Sequence, residues 1–424
     1  PLSPSPDPMT TRGLIGFSIF LLVLVLIDLY AYKGINAAIS SWSQGGRRIV
    51  RLSYWALSIG MIALLVWVAI SLQDLRGTRN HSFMFSLAAL FLLFFLPKVV
   101  IILFHGLDDL FHLFRWGWWK VTPGGEASGE TLSRAAFLSQ AGLLVSAVPF
   151  IGVLYGITKG RRNFKVAHIP VNSSRLPASF HGLRIVQISD LHLGSYGSDR
   201  SIVQKGVDLI NAEKPDLILF TGDLVNDYAD EAEGFIDVLR GLNAPMGKFS
   251  ILGNHDYSDY ARWDDPASKA RNLQRLKTIH ADMGFRLLLD EHLPLERSGD
   301  HIGLLGVQNW GRGFQQYGDL AKTLRGSDSY PYRILMSHDP THWEMQVWGT
   351  GVDLTLSGHT HGAQLGVKLG GQTYSPAQWV YKHWAGLYQE GDQQLYVNRG
   401  FGFIGFPGRV GMPPEITVLE LRMA

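Results

Sequence analysis

Four long apolar stretches before residue 160 limit this chain more than any other feature. They are GLIGFSIFLLVLVLIDLYAY (13–32), VRLSYWALSIGMIALLVWVAISL (50–72), SFMFSLAALFLLFFLPKVVIILF (82–104) and AAFLSQAGLLVSAVPFIGVLYGI (135–157). A helix needs about 20 mostly apolar residues to cross a bilayer, and each stretch has that length. The fourth is the most polar, with Ser139, Gln140, Ser146 and Pro149. Backbone polar groups in lipid must be satisfied within the segment, so such spans are helical. A cleaved leader is set aside for the first stretch because further spans follow it. The expected organisation is a disordered tail at 1–12, a four-helix transmembrane domain at 13–158 and a second folded domain at 163–424.

Between the third and fourth stretches lies FHGLDDLFHLFRWGWWK (104–120), whose aromatic content suits a helix lying in the headgroup layer. His105, Asp109 and His112 share one face of it and read as a polar interfacial face; a metal or proton site is the sharper alternative. Asp28 and Lys98 are ionisable residues inside spans one and three. Such residues usually pair within a bundle. Their depths differ by only about 3 Å at about 1.5 Å per residue, so a contact between them is expected. Positive charges balance on the two sides and set no orientation. The stretch LSRAAFLSQAG resembles a worn twin-arginine export signal through Ser133, Arg134, Phe137 and Leu138. That places the C-terminal half outside the cytoplasm, on a protein of the bacterial cytoplasmic membrane. The short connector TKGRRNFKV keeps that half near the bilayer, where Arg161, Arg162 and Lys165 are expected to meet anionic headgroups.

The formal net charge of +2 gives no reason to expect a nucleic acid partner, and the absence of cysteine excludes thiolate metal sites, disulfides and cysteine nucleophiles. From about residue 163 short apolar runs alternate with amphipathic stretches. Strands are expected at 183–189, 216–222, 248–253, 301–307, 332–337, 352–357, 394–398 and 415–421, and helices at 199–212, 229–242 and 266–283. Such alternation argues an α/β domain with buried sheets.

Five of these strands end in polar groups. IVQIS runs into DLHLG with Asp190 and His192; ILFT into GDLVND with Asp223; SILG into NHD with Asn254, His255 and Asp256; RILM into SHDP with His338; and LTLSG into HTH with His359 and His361. Ligand sites of α/β sheets form at the carboxyl ends of strands. Imidazole and carboxylate without sulfur suit zinc, manganese or iron. The donors exceed the needs of one ion, and two ions about 3.5–4 Å apart need a bridging group such as a carboxylate.

The set DLH, GDLVND, GNHD, SHDP and GHTH resembles the motifs of the calcineurin-like metallophosphoesterases, over roughly residues 163–424. Within that superfamily it is most similar to bacterial membrane-anchored members and to the UDP-2,3-diacylglucosamine hydrolases. The resemblance implies a four-layer α/β/β/α sandwich and two divalent ions (Mn, Fe or Zn). It puts Asp190, His192, Asp223 and His361 on one ion and Asp223, Asn254, His338 and His359 on the other, with Asp223 bridging. It implies attack on phosphorus by a hydroxide shared between the ions, and His255 as the acid that protonates or stabilises the leaving oxygen. Asp227 and Asp256 are expected behind the ligands, orienting histidines. GHTHGAQ departs from the usual GHTHGGQ at Ala363, a change expected to be harmless. The membrane anchor favours a lipid-linked phosphoester as substrate. The alternative is a phosphatase-fold membrane sensor or scaffold with secondary or no catalysis.

Overall fold

The computed structural model describes residues 11–77, 81–121 and 131–424. The expected tail therefore lies outside the described residues except for its last two positions, which already belong to a helix. Four long helices come first: α1 (Thr11–Ala38), α2 (Gln44–Gly77), α3 (His81–Val121) and α4 (Thr131–Thr158). All four are long and apolar enough to cross a membrane. The stretch 104–120 forms no helix of its own; it continues α3, which runs for 41 residues through Pro97. At about 1.5 Å per residue that length is roughly twice the hydrocarbon thickness.

The chain divides into two compact units, one built on the long helices and one on β-sheets. In the helical unit Leu24, Met61 and Phe95 form one buried cluster, and Ile35, Ile39, Tyr54 and Ile101 form another. Close approach depends on small residues, as in membrane bundles generally. A Cβ on Gly34 would fall 2.9 Å from Ile101, and one on Gly142 would fall 2.7 Å from Phe104. Leucine, isoleucine and phenylalanine cover the outer faces. The expected Asp28–Lys98 ion pair is present, and both side chains are buried. Ser58 Oγ lies 3.1 Å from each partner, and Tyr54 Oη donates to the Asp28 carboxylate at 3.2 Å. Asp109 of the 105–112 face pairs with Lys33 at 2.7 Å and with Tyr30 at 2.9 Å, and buried His105 stands 3.3 Å from Ser139 Oγ.

In the second unit the strands are, in chain order, β1 (Lys165–Ser173), β2 (Arg184–Ile188), β3 (Leu217–Phe220), β4 (Lys248–Ser250), β5 (Arg286–Leu287), β6 (Glu291–Arg297), β7 (Asp300–Gly306), β8 (Arg333–Met336), β9 (Leu354–Ser357), β10 (Val367–Leu369), β11 (Gln372–Tyr374), β12 (Gly386–Glu390), β13 (Gln393–Val397) and β14 (Glu415–Met423). The helices are α5 (Arg200–Ala212), α6 (Asp230–Glu233), α7 (Ile236–Arg240), α8 (Pro266–Asp282) and α9 (Leu320–Leu324). The helix expected at 229–242 is broken in two at Gly234 and Phe235.

Two six-stranded sheets form, in the orders β1-β14-β2-β3-β4-β5 and β12-β13-β9-β8-β7-β6. The centre of each is parallel: β2, β3 and β4 in the first, and β7, β8, β9 and β13 in the second. The two faces of β3 show how layers arise from a period of two. Leu217 and Leu219 pack between the sheets with Ile334, Met336, Leu354 and Leu356. Ile218 and Phe220 face outward onto Val203 and Val207 of α5 and Leu276 and Ile279 of α8. On the far side Leu305, Leu335 and Val397 pack under Leu320 of α9 and Trp343. The result is the four-layer sandwich.

Candidate active site

Parallel strands end at the same edge of their sheet, so the polar residues after β2, β3, β4, β8 and β9 converge. Asp190, His192 and His361 offer ligand atoms that all lie within 4.8 Å of one another, as do Asp223, His338 and His359. Asp223 Oδ2 serves both groups, 3.6 Å from His192 Nε2 and 3.1 Å from His338 Nε2. His361 Nε2 stands 3.0 Å from His192 Nε2 and 3.3 Å from Asp190 Oδ1. Asn254 Oδ1 stands 3.1 Å from His338 Nε2 and 2.9 Å from His359 Nδ1. The seven residues thus lie together in two neighbouring groups that meet at Asp223.

The backbone brings them there under strain. Asp190, His192, Asp223, His359 and His361 all have left-handed φ, between 47° and 70°. Side-chain-bearing residues avoid that region, and functional sites are where it persists. Backbone hydrogen bonds fix these turns: Asp190 N–H to Gly222 O at 2.9 Å, His192 N–H to Asp223 O at 3.2 Å, and His359 N–H to the Asp190 carboxylate at 3.0 Å. His255 N–H donates to Asp223 Oδ1 at 2.9 Å and leaves Oδ2 for the centre. Gly253 has to be glycine, because a Cβ there would lie 2.2 Å from Asp223 Oδ1.

Charge and burial decide the protonation states. Burial pushes the imidazole of His192 down to about 3 and holds those of His359 and His361 below the usual range. Burial alone would lower His338 too, but Asp223 beside it raises it to about 10. Burial would raise Asp223, yet His338 and the imidazoles around it hold its carboxyl well below the usual value. Burial lifts Asp190 to about 6. Three neutral imidazoles, two carboxylates and an amide oxygen therefore present lone pairs to one another. Such a donor set fits divalent cations, which need neutral histidine and ionised carboxylate and would displace the proton that Asp223 holds on His338. His338 Nδ1 lies 2.7 Å from Thr221 O, which holds its Nε2 toward Asp223.

Two parts of the chain show strong likeness to known families. Residues 183–363 match the family described as calcineurin-like phosphoesterase, and residues 11–161 match the probable transmembrane domain of a calcineurin-like phosphoesterase. The metallophosphoesterase YkuE of Bacillus subtilis is 35% identical over 257 residues, covering 59% of this chain and 83% of that protein. This chain is a calcineurin-like metallophosphoesterase. A zebrafish (Danio rerio) transmembrane protein with a metallophosphoesterase domain is 28% identical over 319 residues, covering 72% of this chain and 68% of its own. The phosphoesterase is thus a membrane-associated hydrolase of a family that works with divalent metals.

The remaining expected residues of the phosphoesterase sit differently. His255 is half-buried, with Nδ1 2.7 Å from Asn226 O and its ring 5.0 Å from that of His192. Asp256 orients no histidine; it accepts from the N–H groups of Asp223, Leu224 and Gly253 at 2.8–2.9 Å and so sets the backbone of two ligand turns. Burial and the neighbouring Asp223 push it up to about 7 against those donors. Asp227 makes no hydrogen bond to His255, whose partner is the Asn226 carbonyl; its Oδ2 stands 3.7 Å from His81 Nε2, and burial raises Asp227 to about 6.

Three further contacts carry no motif in the sequence, and a fourth comes from Asp339 inside SHDP. Tyr381 Oη lies 2.9 Å from His359 Nε2, and Asp339 Oδ2 lies 3.6 Å from the same atom. Tyr260 Oη accepts from Asn254 Nδ2 at 3.0 Å and fixes which way that amide points. Fully buried Arg409 binds the carbonyls of Arg399, Gly400 and Gly402 beneath His361, and burial lowers it to about 10. Of these, Asp339 was within reach of sequence reasoning, since it follows His338 directly. Of the connector cations, Arg162 pairs with Asp199 at 2.8 Å and Arg161 lies over the Phe403 ring.

Proposed function

We propose that the protein hydrolyses a lipid-linked phosphoester at a dinuclear centre. The observation that carries this is Asp223, a buried carboxylate with one oxygen tied to His255 N–H and the other shared between two histidine groups. One ion would be held by Asp190, His192, Asp223 and His361, and the other by Asp223, Asn254, His338 and His359. When bound, the cations would supply a more acidic attacking water and neutralise charge on the phosphoryl oxygens. The metal is manganese, iron or zinc, which suit oxygen and nitrogen donors.

The chain's own residues then do the rest. His255 donates through Nδ1 to Asn226 O, which leaves Nε2 to carry a proton to the leaving oxygen. Tyr381 meets His359 on Nε2, so Nδ1 of that ring turns toward Asn254, with which it would hold the second ion. Asp256 keeps the Asp223 turn in its left-handed form. Four apolar spans fix the enzyme in a bilayer, and that supports a substrate borne by lipid. The twin-arginine-like stretch around Arg134 supports a catalytic domain outside the cytoplasm, on a bacterial inner membrane.

The experiment compares two phosphoesters with the same leaving group, one embedded in nanodiscs with the full chain and one water-soluble. The embedded ester is expected to turn over with clearly higher catalytic efficiency. Equal efficiency on both overturns the lipid assignment and leaves the phosphoesterase itself in place.

A further inference from the structure

One part of the catalytic unit is built unlike the rest. Between Asp353 and Glu390 the chain has no acidic residue, but it has Lys368 and Lys382. Within that interval β10 and β11 pair as a two-stranded hairpin, with Val367 opposite Tyr374 and Leu369 opposite Gln372. Gly370 and Gly371 make the turn, both with left-handed φ, as a two-residue hairpin connection requires. This ribbon joins neither large sheet. Alternation puts Val367, Leu369, Gln372 and Tyr374 on one face and Lys368 and Thr373 on the other.

The apolar side chains stand open: Leu369 is 62% exposed and Val367 56%, while Trp379 and Val380 just beyond reach 81% and 73%. An isolated hairpin is marginal in water unless something packs against it. Only its base is held. Gly366 N–H donates to Val410 O at 2.8 Å, Val410 N–H to Gln364 O at 2.9 Å, and Ser375 Oγ to Gly362 O at 2.7 Å.

Two further observations say what covers it. The composition is that of a membrane interface, with tryptophan, tyrosine, aliphatic residues and lysine and no carboxylate. The hairpin base also adjoins the place where the last span ends. Arg409 N–H donates to Gly156 O in the final turn of α4 at 3.1 Å, and a Cβ on Gly156 would fall 2.5 Å from Val410. The same segment leads straight into the active site, because Tyr381 directly follows Val380 and contacts His359.

We propose that residues 367–380 dock into the headgroup layer of the anionic bilayer that holds the chain's own helices, and so keep the His359 side of the centre at the lipid surface. The docking stands apart from the substrate assignment; its consequence, capture of a phosphoester from within the bilayer, rests on the lipid-linked reading above.

The chain has no native cysteine, which makes the test direct. Leu369→Cys and Trp379→Cys are labelled with a nitroxide in the full chain, in nanodiscs of equal parts phosphatidylcholine and phosphatidylglycerol. Ser298→Cys, in the exposed turn between β6 and β7 at the far edge of its sheet, is the control. Collisions with dissolved oxygen relative to a water-soluble nickel chelate are expected to be several-fold higher at 369 and 379 than at 298. Equal ratios at all three positions overturn the proposal. Spin–spin broadening between the labels of two copies, with water-like ratios in discs holding one copy, overturns it in favour of self-association. Turnover of an embedded phosphoester in the same discs separates the two claims. Labels in lipid without such turnover uphold the docking and sink the substrate reading, and labels in water with turnover do the reverse.

Discussion

Both halves of this protein bury charge, but they settle it differently. In the helical unit Asp28 meets Lys98, and Ser58 and Tyr54 supply further hydrogen bonds. One anion faces one cation, so the cluster is closed in charge, although Asp28 Oδ2 is buried without a hydrogen bond. In the catalytic unit Asp190 and Asp223 face four imidazoles, three of which burial keeps neutral. Acceptors outnumber protons, and the cluster is open to cations from outside. A closed cluster is a fastening. An open one is a binding site, and the balance of charge tells them apart where burial alone does not.

The sharpest way to break this contrast is Asp223→Asn, which removes charge from the carboxylate that lies between the two histidine groups. Turnover is expected to fall by at least about 10²–10³-fold, the cost of losing one preorganised electrostatic group. Metal content per chain should fall with it while the circular dichroism spectrum is unchanged. Full turnover with both ions retained would show that Asp223 does not bridge. His255→Ala should keep both ions and lose rate by about 10²–10⁴-fold. Elemental analysis of that variant decides the matter, since loss of an ion would make His255 a ligand or a ligand's support.

The closed cluster responds differently. Lys98→Met leaves Asp28 buried without its cation and is expected to cost about 3–5 kcal/mol in denaturant unfolding of the full chain in micelles. Adding Asp28→Asn should recover part of that loss, because the pair and not either charge is what the bundle needs. Additive losses in the double variant would mean that the two act separately. The smallest effect is expected at Ala363, whose φ of +50° is left-handed. Ala363→Gly should stabilise the chain by at most about 1 kcal/mol, a melting shift of a few degrees at most with turnover unaffected. The alanine in GHTHGAQ is therefore tolerated at a small cost in backbone strain.

The open cluster was legible in the sequence because buried parallel strands are unbroken apolar runs, and a polar residue at their end stands out. IVQIS, ILFT and RILM have that form, and each leads a polar side chain into the cluster. Edge strands do not read this way. In β6, His292, Pro294 and Glu296 alternate with Leu293 and Leu295, a half-exposed pattern that gives no long apolar run. Tyr381 could not be found from spacing at all, since it reaches His359 through folding over 22 positions of sequence. The 104–120 stretch misled because its charges and tryptophans interrupt apolarity without interrupting helical hydrogen bonding, so α3 simply continues. Asp256 was assigned to side chains when its partners are backbone N–H groups, which no residue pattern announces.

The left-handed turns at five candidate ligands have a consequence for how the enzyme is supplied with its ions. Carbonyls and carboxylates of the same unit hold those turns: Gly222 O holds Asp190, Asp256 holds Asp223, and Asp190 holds His359. The cradle is thus assembled by the fold, and loading it asks little further ordering of the backbone. A chelator should strip the ions without unravelling the domain, and the stripped chain should regain activity within the time of mixing. The occupant then follows availability and the preferences of the donors. In a compartment whose trace metals fluctuate, one protein could pass from one ion to another without being made anew.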